Sequence, residues 1–398
     1  MPRLSSLVLK TLAGLGITLP AGGGINWGST LNVTPINSFQ PIDLPDYAML
    51  GISIGTTDAY TVIGRANYSG SNNDAKFGKI YLIDNATGDV VREHLGTSGS
   101  DDRAFGSRIA ISDNYYAAVL AGGNTSATKL FVYDIATGSL QYTKTIQASS
   151  ENINRLFVEM NDTYIMTSGP NTGVLIYDTA SGAQITAPTV PSGYNRWAWQ
   201  VSFDESRMAV SSTNGSNTGV VHVYSMAGGF PLLYSITSPV AGTVHFGSGQ
   251  DGHAIAVSAN RIAISNRTAD SNKGKVYIYD ATNGSLLYTL SPPAGVSYSN
   301  AFGENLASND SYLAVGTPDH DAFESGGAVH LYDVMTGTLV HSFSNPGTFQ
   351  SYRAYGAYGG AVGISEHRIA VGAMEVRIPT DANMSRGAGF VYNLYDIL

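Results

Sequence analysis

Short runs of alternating apolar and polar residues recur along most of the chain. Each closes on Tyr-Asp, or a close variant, followed by a Gly-containing turn. The phrase runs from Gly78 to Asp84 and Gly88, through Tyr133-Asp134 to Gly138, and from Gly173 through Tyr177-Asp178 to Gly182. It returns at Tyr224-Ser225, at Tyr279-Asp280 with Gly284, at Tyr332-Asp333 with Gly337, and at Tyr392-Asn393. Alternation with a period of two predicts strands whose side chains point to opposite faces. The anchors at 84, 134, 178, 225, 280, 333 and 393 lie 44 to 60 residues apart, the period of a four-stranded blade. The pattern predicts an all-β chain forming a single seven-bladed β-propeller.

The polar punctuation divides each repeat into four strands, A to D. Arg108 to Ser112 and Tyr115 to Val119 flank Asp113-Asn114 as a hairpin, and similar pairs surround Asn161-Asp162, Ala259-Asn260, Asn309-Asp310 and Glu366-His367. These are the expected A and B strands, with Ala and Gly inward where strands converge on the axis. The Tyr-Asp phrase is strand C, and runs such as Ser285 to Leu290 are strand D. An Asp at the end of C accepts backbone N–H bonds, and the Gly four residues on takes a positive φ, so the repeated carboxylates are expected to be structural. The Tyr column is expected to pack between blades.

Too few residues follow Tyr392 for a seventh D strand. Residues 31–44, just upstream of the first A strand at Tyr47 to Ile54, are expected to supply it and so close the ring. The expected organisation is an N-terminal arm over 1–30, serving attachment, and a propeller over 31–398.

Charged residues form only 13% of the 398, and the net charge is −9. Phosphate neutralisation needs clustered Lys and Arg, so nucleic acid is not an expected partner. The chain has no Cys, which excludes disulfides and thiolate metal sites. Met1-Pro2-Arg3 followed by Leu7 to Leu9 and Leu12 to Leu15 has the outline of a leader, but Lys10 interrupts it, and cleavage is not expected. No apolar run is long enough for a transmembrane helix.

Phe105-Gly106, Phe246-Gly247, Phe302-Gly303 and Tyr358-Gly359 open A strands, and Leu313 to Gly316 and Ile369 to Gly372 form B strands. Together these phrases resemble FG-GAP repeats of the integrin α-subunit kind over about seven-eighths of the chain. The family's calcium loops between A and B are not carried over, because the turns here are two residues long. The Tyr-Asp turns are also similar to quinoprotein repeats, but the tryptophans that dock those blades are missing. The Asp-box motif of sialidases does not occur. Gly24 to Asn32 resembles the leading segments of bacteriophage tail and fibre proteins, which marks Asn26, Trp27 and Leu31 as attachment residues and a neighbouring virion protein as partner.

In a propeller the B–C and D–A segments share one face, and here they are long and varied. Tyr194, Trp197, Trp199, Tyr298, Phe349, Tyr352 and Tyr355 fall in the D–A segments and are the candidate ligand-binding residues, their rings and neighbouring amides suiting a glycan. Asp319, Asp321 and Glu324 are the densest potential metal ligands, but no Gly stands at the sharp-turn position of a calcium loop, and no metal or cofactor is expected. No catalytic constellation stands out. The expected function is that of a non-catalytic structural or adhesion protein, a virion component binding a partner protein or host-surface glycan. The alternatives are a polysaccharide hydrolase or lyase using the loop face, and a secreted or bacterial cell-surface location.

Overall fold

The computed structural model describes residues 34–39, 48–67, 78–96, 105–120, 127–147, 156–169, 173–189, 191–195, 198–214, 216–243, 245–248, 253–293, 302–318, 327–344, 346, 357–373 and 387–397. All belong to the compact unit Val33–Leu398.

The strands form seven antiparallel sheets. The first is Ala48–Thr56, Tyr60–Asn67, Lys79–Asp84 and Val90–Leu95, paired in chain order, and the second is Arg108–Ile111, Tyr115–Leu120, Thr128–Asp134 and Leu140–Gln147. The third, fifth and sixth sheets repeat this meander from Phe157–Met160, Ile255–Val257 and Asn305–Ser308. Each inner strand contacts the inner strand of the next sheet, and the seventh, Tyr358–Ile364, packs against the first, Ala48–Thr56. The result is a closed ring of seven blades, a β-propeller.

The core lies between blades. Phe105 is buried among Val62, Ile80 and Leu82 of the first blade and Ile109 and Tyr116 of its own. The Gly after it has φ +81, and a Cβ there would lie 2.8 Å from the Lys79 carbonyl oxygen of the preceding blade. The Phe-Gly phrase is thus an inter-blade wedge followed by a left-handed kink that lets two backbones approach. The fourth blade makes the same kink without glycine, at Ala198 with φ 62. Its inner strand is split there into Tyr194–Asn195 and Val201–Phe203, both paired with Arg207–Asn214. This split was not foreseen from the repeat pattern.

The C–D turns have the geometry that their composition demands. Asp134 Oδ1 accepts the Thr137 N–H at 2.7 Å, and Asp178 and Asp280 cap their turns in the same way. Where Ser225 replaces Asp, its hydroxyl accepts the Ala227 N–H at 3.1 Å. The turn glycines are also contact points. Outer-strand Tyr142 donates to the Thr179 carbonyl of the next blade at 2.8 Å, and Tyr234 donates to the Ala281 carbonyl at 2.5 Å. Tyr288 does the same to Val334. The Tyr234 ring lies over Gly284, where a Cβ would come within 2.7 Å of it. Strand C tyrosines 133, 177, 224, 279, 332 and 392 are all buried.

The seventh sheet runs Tyr358–Ile364, Arg368–Ala373, Ala388–Asn393 and then Asn37–Phe39, with Asn37 opposite Val391 and Phe39 opposite Gly389. After Asn393 the chain turns into a short 3-10 helix, Leu394–Asp396, capped by the Asn393 side chain. Asn37 Nδ2 donates to the Asn85 carbonyl of the first blade at 2.9 Å, the position that receives the outer-strand tyrosines at other seams. Phe39 packs on Tyr81 with ring centroids 5.1 Å apart.

Candidate functional site

The seven inner strands enclose an axial cavity of about 380 Å³. One register position of each inner strand lines the axial cavity: Gly55, Ala110, Ser202, Ala256, Ala307 and Gly363 hold it in six blades. Small residues are what the crowded axis allows. The third blade places Glu159 there.

Glu159 accepts the Phe203 N–H at 3.1 Å through Oε2 and a bond from the Ser202 hydroxyl. Burial pushes its carboxyl up to about 8, although those two donors pull it back toward the ordinary range. Across the axis, His253 Nδ1 stands 3.7 Å from Glu159 Oε1, beyond hydrogen-bond reach. The side chains keep 30% and 25% of their surfaces open to the channel. Burial, reinforced by the charge of Arg108, lowers the His253 imidazole to about 4. The two groups therefore face each other uncharged near neutral pH.

His253 is held by its backbone, with its N–H on Asn305 Oδ1 at 3.0 Å and its carbonyl accepting the Leu306 N–H at 2.7 Å. The Phe157 ring stands edge-on to it at 5.1 Å, with the Arg108 guanidinium 5.3 Å from the same ring. Arg108 donates to the Leu156 and Ser107 carbonyls, both at 2.9 Å. A second space of about 30 Å³, lined by Ser53, Arg108, His253 and Asn305, continues the channel toward the starts of the inner strands.

At the other end, the A–B turns form an acidic rim of Asp58, Asp113, Asp162, Glu205, Asp310 and Glu366. Several of these carboxylates latch the turn of the preceding blade. Asp162 accepts the Asn114 N–H at 3.1 Å and its Nδ2 at 2.7 Å, and Asp310 accepts the Ala259 N–H at 3.0 Å. At the closing seam Asp58 accepts from Ser365 Oγ at 2.6 Å, the His367 N–H at 2.9 Å, and His367 Nδ1. Burial would raise the Asp58 carboxyl, but these bonds hold it below its usual value. The potential ligand atoms of Asp58, Glu366 and His367 lie within 4.8 Å of one another, yet the Asp58–His367 bond already engages two of the three side chains.

Of the ligand-binding residues expected from sequence, Tyr194 is half-buried, its ring edge-on to His222 with centroids 4.5 Å apart. Trp199 is buried, 7% exposed, and presents no open ring face. Trp197, Tyr298, Phe349, Tyr352 and Tyr355, the metal candidates Asp319, Asp321 and Glu324, and the attachment residues Asn26, Trp27 and Leu31 all lie outside the described residues. Glu159 and His253 were not singled out from sequence. The signal that would have found Glu159 is a carboxylate at a register position otherwise held by Gly, Ala or Ser.

No family model matches the chain, and no curated protein matches it. Solved structures do. The chain is similar to U3-55K with a TM-score of 0.57 at 10% identity, over 90% of this chain and 99% of that one. It is similar to the RRP9 WD40 repeats with a TM-score of 0.57 at 9% identity, over 91% of this chain and 98% of that one. The computationally designed Ika8 protein matches with a TM-score of 0.50 at 13% identity, over 90% of this chain and 99% of that one. At these identities the likeness establishes the fold alone, a β-propeller. Among the described residues no helix is long and apolar enough to cross a membrane.

Proposed function

We propose that this chain is a non-catalytic binding scaffold, a tail or surface component of a virion. In this reading residues 1–30 attach it to a neighbouring protein, and the B–C and D–A segments engage a partner protein or a host-surface glycan. The observation that carries the reading is the consumption of turn carboxylates in structural bonds, as at Asp58, Asp162, Asp178 and Asp310. Turn carboxylates engaged in bonds within the ring leave recognition to the segments joining its strands at the opposite face. The Phe-Gly wedges support kinship with FG-GAP repeats, and Gly24 to Asn32 supports the virion assignment.

The test compares binding to whole cells and to neighbouring virion proteins with thermal melting. Trp197→Ala and Tyr352→Ala are expected to weaken binding without lowering the melting temperature. Tyr279→Ala, which removes a buried ring packed on Phe246 at 6.3 Å, is expected to cost about 3–5 kcal/mol of stability. Unchanged binding in both loop variants would overturn the assignment of the loop face.

A further inference from the structure

We propose that the axial channel is a binding site for an alkylammonium group, carried either by a small aliphatic amine or by a lysine side chain of a partner. The proposal stands apart from the loop-face reading. It rests on a cavity of about 380 Å³ whose walls include Ile54, Ile111, Val158, Met160 and Val362, an apolar lining suited to an alkyl stem.

Two carboxyl groups share that lining, and one of them, Glu159, has an open acceptor. An ionised carboxylate offers about four lone-pair sites. Glu159 has donors at two of them, from Phe203 and Ser202, and its Oε1 faces His253 across 3.7 Å without bonding. Asp204 lies on the same wall. Its Oδ1 takes the Ser206 and Arg207 N–H groups at 2.6 and 2.7 Å, while its Oδ2 is buried with no hydrogen-bond partner among the described residues. Asp204 therefore acts on a ligand in the channel through its charge and not through a direct hydrogen bond, and the direct contact falls to Glu159 Oε1.

Charges around the site favour the same ligand. Glu205 lines the cavity mouth, and Asp162 follows Asn161 there. Arg108 stands beyond His253 and donates to the Leu156 and Ser107 carbonyls, and Arg207 donates to the Ala259 carbonyl at 3.3 Å. An ammonium group beside Glu159 favours the ionised carboxylate, so ligand uptake below about pH 8 releases a proton. Binding therefore tightens as pH rises toward that value, while an alkylamine stays protonated up to about pH 10.

Isothermal titration of the full chain with n-butylamine, putrescine and a short acetylated peptide bearing one lysine tests this, with 1-butanol as the uncharged control. Saturable binding of an amine or of the peptide is expected, tighter by at least about tenfold near pH 8.5 than near pH 6, with none for 1-butanol. Glu159→Gln and Asp204→Asn are each expected to weaken it, with melting curves recorded to show that both variants fold. Binding of the free amines identifies a small-molecule source, and binding of the peptide alone identifies a partner's side chain. No binding by any of the three at either pH, equal binding of 1-butanol, or affinity unchanged in both variants would overturn the proposal.

Discussion

Individual residues reveal their roles through their deviation from the repeat. Burial lowers His222, His253 and His330 to about 4, from an ordinary value of 6.5. Between those values the unfolded chain binds more protons than the folded one, so the stability these residues contribute is complete above about pH 6.5 and lost as pH falls toward 4. Glu159 acts in the opposite sense. Raised from 4.5 to about 8, its contribution is complete below about pH 4.5 and lost as pH rises through 8. Melting temperature measured across this range is expected to peak on the acid side of neutrality, and Glu159→Gln is expected to flatten the decline above about pH 6.5. An unaltered alkaline slope in that variant would show that Glu159 ionises freely in the folded protein.

At the scale of elements, each C–D turn acts twice, as a hairpin and as the surface on which the preceding outer strand rests. Gly284 combines φ +74 with the Tyr234 ring at 2.7 Å from a would-be Cβ. Gly284→Ala is expected to lose about 1–2 kcal/mol from left-handed strain, with a further loss from displacing the ring, read by urea unfolding. Stability equal to the parent would mean that the turn relaxes freely. The Asp-to-Gly spacing made this element legible in the sequence, because its chemistry is contained within five residues. The Phe-Gly wedge was legible as a motif, but its partner, the Lys79 carbonyl, is not, since it belongs to another blade. The split strand of the fourth blade was hidden because Ala198 adopts a conformation that its residue type does not announce. The channel pair was hidden for a related reason. Glu159 and His253 meet only once strands of the third and fifth blades are set in register around an axis, and nothing local marks either residue.

On the scale of the whole molecule, the ring is an endless series of seams, each made of inner-strand packing, turn latches and an outer-strand contact. Seven copies of the repeat at this period specify seven blades. The closing seam differs from the others because its two sides come from opposite ends of the chain. There Asn37 and Phe39 meet Asn85 and Tyr81, and Asp58 meets Ser365 and His367. If the ring depends on residues 31–44 for its last strand, removing them leaves Ala388–Asn393 as an unpaired edge beside a seam held by the inner strands and the turn latch. The most direct measurement is therefore the thermal stability and oligomeric state of the chain lacking residues 1–46, compared with the full chain. A lowered melting temperature with aggregation through the exposed edge is the expected result, and a truncated chain that stays monomeric and melts with the parent would contradict closure by the N-terminal strand.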